Sequence, residues 1–192
     1  MLQEIILQRR LQERMFCDKG VCSGVHGKWT GLADAVAAHG HDPQVVETAK
    51  LITNQHHNLF GYPNEERGLW LRLEGNGFTQ YAQKERAAVV YFVGCKQSFL
   101  IPSQQTALDI VKELSRDGVD FAVLGDREWC CGRVLKGLGL DEEFEVCKQH
   151  NSGEIQRLKA KQVIFTCHSC YDVWHNDYHI DGVELIYRKS IN

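Results

Sequence analysis

Residues 87–94 read AAVVYFVG, a continuous apolar run of β-branched and aromatic side chains that ends in Gly94, immediately before Cys95. A run of that length with no polar alternation reads as a strand buried on both faces, as strands of a parallel sheet are. Working outward, Pro102-Ser103 opens a helix with Ala107, Leu108, Ile110, Val111 and Leu114 on its apolar side, stopping at Asp117-Gly118. DFAVLG (120–125) is a second strand, followed by the loop DREWCCG (126–132). A helical stretch from 133 to 159 should break near Gly137–Gly139. QVIFTC (162–167) is a third strand, YDVWHNDY (171–178) a short helix and GVELIYR (182–188) a fourth strand. Strand and helix alternate throughout, which predicts an α/β, Rossmann-like, mostly parallel sheet with right-handed crossovers.

Upstream the character changes. LQEIILQRRLQERMF (2–16) carries an interrupted helical stripe, GVCSGVHGKWTG (20–31) reads as a loop, and LADAVAAHG (32–40) as a short helix. Asp42-Pro43 then combines an N-cap residue with a proline suited to the first helical position, opening a helix through VVETAKLITNQ. NLFGYPNEERGLW (58–70) is irregular. The expected division is a helical N-terminal segment over 1–85 and an α/β domain over 86–192.

The chain has 192 residues, 43% hydrophobic and 24% charged, with a net charge of -3 and three prolines. That balance is globular, and it gives no broad basic surface for nucleic acid. No apolar run reaches the ~18 residues of a membrane helix. Charges interrupt the first residues too soon for a secretory signal, so the expectation is a cytoplasmic protein without direct membrane insertion, attached to a membrane, if at all, through a partner.

Eight cysteines are too sparse for a disulfide scaffold and, in a reducing cytosol, point to metal or redox chemistry. Cys95 closes the first strand, Cys130 and Cys131 follow the second, Cys167 closes the third and Cys170 comes three residues later. In a parallel sheet these are all carboxyl ends, the edge where open α/β sheets bind ligands. Four thiolates suffice for tetrahedral zinc or for an iron–sulfur cluster, and a fifth exceeds a closed zinc site. Adjacent Cys130 and Cys131 can both ligate only if the loop turns sharply, which Gly132 permits, or if the bound group has several metal atoms. Sulfur-only ligation suits iron–sulfur chemistry. Zinc stays open as the alternative, with four thiolates closing the site and one spare.

The pattern of Cys95, Cys130-Cys131-Gly132 and Cys167-His168-Ser169-Cys170, spread over 76 residues, resembles the CCG domain. This is the cysteine-rich domain of heterodisulfide reductase catalytic subunits and of iron–sulfur subunits of glycolate, lactate and glycerol-3-phosphate oxidoreductases. NQHHNLFGYPNEERGLW (54–70) and HNSGEIQRLKAKQVIFTCHSCY (150–171) are also similar to family segments. The resemblance implies a noncubane [4Fe-4S] cluster on Cys95, Cys130, Cys131, Cys167 and Cys170. It further implies electron transfer to, or reductive cleavage of, a disulfide or thiol substrate. An electron relay in a hydroxy-acid oxidoreductase and a zinc-stabilised interaction domain are the competing readings. Only one five-cysteine motif is present, and Cys17-x4-Cys22 does not supply the CxxCxxCxxxCP run of a ferredoxin module. The resemblance therefore implies other subunits of an electron-transfer complex, including a ferredoxin-type iron–sulfur partner.

The remaining candidates have plainer readings. Cys147 is expected to be a small buried core residue. Cys17 and Cys22 are loop thiols or a partial metal site. His168 is a solvent-facing loop residue or a donor to a sulfur ligand. His56 and His57 should complement a helix C-terminus. His175 and His179 are spaced for one helix face but lack a third ligand. Trp129 either shields the cysteines or anchors the loop, and Gly94 and Gly132 either let backbone pass a bulky group or simply turn the chain. Arg67 and Trp70 read as packing between the N-terminal segment and the core. No GxGxxG follows the first strand, so dinucleotide binding is not expected.

Overall fold

The computed structural model describes residues 42–73 and 77–188. The stretches read above over 2–16, 20–31 and 32–40, with Cys17 and Cys22, lie outside the described residues.

Four strands, β1 (Val89–Phe92), β2 (Phe121–Val123), β3 (Gln162–Phe165) and β4 (Glu184–Tyr187), form one all-parallel sheet in the order β2-β1-β3-β4. The α/β expectation holds. Val90 stands between Ala122 and Val163, and Ile164 between Tyr91 and Ile186. The chain moves outward from β1 to β2, then returns past β1 to place β3 and β4. The strand order therefore reverses between β1 and β3, which opens a crevice at their carboxyl ends.

All four residues of β1 are buried because both faces are covered. Val90, Phe92, Ala122, Val163 and Phe165 pack with α1 (Pro43–His56), α6 (Asp141–Arg157) and α7 (His168–Asp177), through Ala49, Phe144, Ile155 and Trp174. Val89, Tyr91, Phe121, Val123 and Ile164 share the opposite core with α4 (Ile101–Arg116) and α2 (Leu69–Leu73), through Leu108, Val111, Leu114 and Trp70. Alternation along each strand thus feeds two cores. Each fully buried large apolar side chain contributes roughly 1.5–3 kcal/mol.

Local signals match these ends. Asp42 accepts from Gln44 N at 2.8 Å and caps α1, with Pro43 at its start. At the end of α4, Gly118 takes φ +66, and Val119 N donates to Leu114 O while Gly118 N donates to Ser115 O. This pair of bonds is a Schellman stop. The break near Gly137–Gly139 separates α5 (Arg133–Gly137) from α6.

Two details depart from the expectation. β1 ends at Phe92, and Cys95 lies in the first turn of a further short helix, α3 (Gly94–Phe99). The cause is local: Gly94 takes φ +79, and the Glu128 carboxylate accepts the Val93 and Gly94 N–H groups at 2.8 and 2.7 Å, which ends strand pairing there. Likewise β3 ends at Phe165 and α7 starts at His168, so Cys167 is its N-cap and Cys170 sits in its first turn.

Candidate metal centre

The residues that precede the α/β core in the chain also reach its carboxyl edge. Leu59 joins the core below the sheet edge, and the turn Asn64–Gly68 packs against the turn Gly125–Arg127 that leads into the double cysteine.

The five cysteines of the motif meet at this edge as a file, each thiol within hydrogen-bonding reach of the next. The order is Cys95, Cys130, Cys131, Cys170, Cys167. The first four are buried and Cys167 is partly buried, so the file reaches solvent at that end. Among the described residues no three His, Cys, Asp or Glu side chains are grouped as around a single ion.

The thiols influence each other strongly. Hydrogen bonds from Cys130 and Cys170 hold Cys131 down to about 6 against the opposing effect of burial. Cys167 is also lowered to about 6, first by Cys170 and then by the backbone amides of Cys170 and Ser169 at the start of α7. Cys95, Cys130 and Cys170 are pushed well up, mainly because each donates to a neighbouring sulfur, and burial adds to this. A site that stabilises some thiolates before any metal arrives has soft, partly deprotonated donors ready for a thiophilic group.

Two glycines let the backbone run close to these sulfurs. A Cβ on Gly94 would lie 3.0 Å from Cys170 Sγ. Gly132, at φ +82, turns the chain after the double cysteine, and its N–H donates to Cys130 Sγ at 3.3 Å.

Around the thiols lies a shell of buried polar groups. Arg67 and Glu128 form an ion pair at 2.9 Å with both side chains 1% exposed. Arg67 Nη2 donates to Cys95 Sγ at 3.3 Å, and Arg67 Nε donates to Asn64 Oδ1 at 3.2 Å. Burial opposes the Arg67 charge, but the Cys95 sulfur and Glu128 carboxylate hold the group above its usual value. Burial pushes Glu128 up, while Arg67 and the two backbone amides pull it back. Both Glu128 oxygens face donors only, which is the setting of a carboxylate. On the other side of the double cysteine, Asn151 Nδ2 donates to Cys130 O at 3.0 Å, Asn151 Oδ1 accepts from Trp129 N, and Tyr178 donates to Cys131 O at 3.1 Å.

Trp129 is an anchor. Its ring is sandwiched between His57 and His150, with centroids 3.6 and 3.7 Å away and planes almost parallel. His57 is the left-handed cap of α1, its carbonyl accepts from Cys130 N at 2.8 Å, and burial followed by the charge of His150 keeps its imidazole below the usual value. The His57 ring thus serves the Trp129 stack, with its neutral form favoured. His168 is exposed and pairs with Asp172 at 2.8 Å. Cys147 is buried in α6, and burial pushes its thiol up to about 12. His175 stacks on Tyr171, and His179 is exposed.

Residues 89–173 match the cysteine-rich domain family CCG. The likeness is to that family over this region. The chain is 29% identical over 150 residues to a subunit of the dihydromethanophenazine:CoB–CoM heterodisulfide reductase of Methanosarcina barkeri, covering 74% of this chain and 34% of that one. The Methanosarcina mazei counterpart is 31% identical over 127 residues, covering 64% of this chain and 28% of that one. A probable iron–sulfur-binding oxidoreductase, FadF, from Bacillus subtilis is 28% identical over 95 residues, covering 50% of this chain and 14% of that one. The chain spans about a third or less of the length of these relatives. No solved structure matches it significantly. Among the described residues no helix is long and apolar enough to cross a membrane.

Sequence reasoning missed the polar shell. Glu128 sits in the charged run DRE, two residues before Cys130, which does not mark its side chain as buried, and Arg67 reads as packing with no sign of its contact with Cys95. Asn151 entered only as part of a family-like segment.

Proposed function

We propose that this chain is an iron–sulfur subunit of a heterodisulfide reductase-like oxidoreductase, with Cys95, Cys130, Cys131, Cys167 and Cys170 holding one noncubane-type [4Fe-4S] cluster. The observation that carries the reading is the file of five thiols brought from three strand ends to the reversal point of the sheet. The donors are all sulfur and exceed the four of a tetrahedral ion, which favours a group with several metal atoms over zinc. When bound, the cluster supplies one-electron chemistry beside a position open to a sulfur ligand. The chain's own residues hold thiolates at Cys131 and Cys167, keep water away by burying four of the five sulfurs, and leave the Cys167 end accessible.

Electrons reach the site from other subunits, including a ferredoxin-type iron–sulfur protein or domain, and leave to a disulfide or other thiol-bound sulfur substrate, whose S–S bond takes up two electrons and two protons. An electron relay in a hydroxy-acid oxidoreductase is the second reading. The likeness to a probable iron–sulfur-binding oxidoreductase and to an EtfAB:quinone oxidoreductase of Syntrophomonas wolfei, 28% identical over 87 residues, favours it. Six free cysteines among the described residues suit a reducing cytosol.

Metal and acid-labile sulfide content after strictly anaerobic purification tests the proposal. About four iron and four sulfide per chain is the expected result. Zinc without sulfide would overturn it.

A further inference from the structure

A buried cation in direct contact with one sulfur of the file is not part of the ligand set. Arg67 comes from the turn Asn64–Gly68, outside the matched domain, and its guanidinium uses all three nitrogens. Nη2 donates to Cys95 Sγ, Nη1 to Glu128 Oε1 and to Ser98 Oγ at 3.4 Å, and Nε to Asn64 Oδ1. Its carbon lies 5.1 Å from the Phe99 ring centroid. Glu128 in turn holds the backbone of Val93 and Gly94, just before Cys95, and Asn64 Nδ2 donates to the carbonyls of Asp126 and Glu128, just before Cys130. One network therefore ties two cysteine-bearing loops together and aims the positive end of an ion pair at a sulfur. Packing alone would not require a forked donor there, because an aliphatic side chain could fill the space without bringing a charge into the core.

We propose that Arg67, oriented by Glu128 and Asn64, is the positioning and charge-compensating residue of the cysteine site, setting the reduction potential of the group held by Cys95. This rests on the cluster reading above. A hydrogen bond and positive charge on a ligand sulfur stabilise the more negative, reduced state and so raise the potential. The planar fork of arginine suits it to hold Glu128, Asn64 and Cys95 together, whereas lysine offers a point charge.

The test uses the anaerobically purified, cluster-loaded chain, with the midpoint potential read by EPR-monitored redox titration and iron retention by release to a chelator. Arg67→Met/Glu128→Gln, which removes both charges together, is expected to titrate at a lower potential than wild type and to release iron about tenfold faster or more. Arg67→Lys, which keeps the charge, is expected to retain part of the potential. A double variant holding full iron and sulfide at the wild-type potential would overturn the inference while leaving the cluster reading intact. A wild-type chain without iron and sulfide overturns both. If the variants do not fold, wild-type chain labelled with 15N in the arginine side chain decides: pulsed EPR of the paramagnetic cluster should show a weak coupled nitrogen, and its absence refutes the contact.

Discussion

The position of a Cβ on residue 132 lies 2.4 Å from Cδ2 of Phe144 and 2.9 Å from its Cε2, so the Phe144 ring packs where only glycine can pass. Gly132 also takes φ +82, and its N–H contacts Cys130 Sγ. One residue therefore turns the loop, admits the ring and touches a sulfur. Gly132→Ala combines about 1–2 kcal/mol of backbone strain with about 1–3 kcal/mol of overpacking, and it shifts the double cysteine. The expected result is a lower melting temperature together with loss of bound iron. Gly118→Ala is the control, since Gly118 has φ +66 with nothing within 4 Å of its would-be Cβ. It should show the strain alone and keep its iron.

Removing Glu128 leaves a buried guanidinium without its carboxylate and the Val93 and Gly94 amides without their acceptor. Breaking a buried pair by deleting one partner costs about 3–5 kcal/mol. Glu128→Ala should lose that much in urea unfolding of the metal-free chain. Arg116→Ala, which breaks an exposed pair with Asp117, should leave stability nearly unchanged.

Asn151 and Tyr178 grip the double cysteine through its backbone carbonyls. Asn151→Ala orphans Trp129 N as well as the carbonyl of Cys130, at about 1–3 kcal/mol for each group left buried and unsatisfied. Tyr178→Phe removes one hydroxyl and should cost less, about 0.5–1.5 kcal/mol. Because Asn151 Nδ2 also reaches Tyr178 Oη at 3.4 Å, the double variant should cost less than the sum of the singles, as a thermodynamic cycle would measure.

The sheet was legible because its strands are buried on both faces and read as apolar runs, and α1 and α4 because their caps are local. The convergence of the cysteines followed from chain direction, since each motif cysteine comes after the carboxyl end of a strand. What escaped depends on contacts far apart in sequence. Glu128 ends β1 by accepting amides 34 and 35 residues earlier, so the strand looked longer than it is and Cys95 looked like its last residue. Arg67 reads as packing between the N-terminal segment and the core, and it is buried, but its ion pair with Glu128 and its contact with Cys95 depend on residues 61 and 28 positions away. Trp129 was open between shield and anchor because its stacking partners His57 and His150 lie 72 and 21 residues away.

Asp120 latches the start of β1. Its Oδ1 accepts from Lys84 at 2.6 Å and its Oδ2 from Ala88 N at 2.9 Å, and Lys84 first, then the amide, holds its carboxyl below the usual value. A depressed carboxylate contributes stability that is present above the unfolded pKa of about 3.9 and is lost as pH falls through the lower folded value. The difference in melting temperature between wild type and Asp120→Asn should therefore be constant near neutrality and shrink below about pH 4. Asp120 is more than half exposed, so the difference should be small and reduced by salt. A difference that grew in acid would contradict the latch.

Cys147 provides the sharpest test of which sulfurs matter. It is buried like Cys95, Cys130, Cys131 and Cys170 and lies in the same core, yet it makes no link in the file, and burial first, with the Cys95 charge adding, raises its pKa to about 12. A thiol held neutral among apolar side chains is a poor metal ligand. Cys147→Ala should therefore keep full iron and sulfide, with stability changed only by the lost volume of one sulfur, about 1 kcal/mol. Cys130→Ser and Cys131→Ser should each lose the cluster signal, because each sits between two other sulfurs of the file. Iron lost from a well-folded Cys147→Ala, or kept in full by both serine variants, would mean that the group is not held by these five thiols.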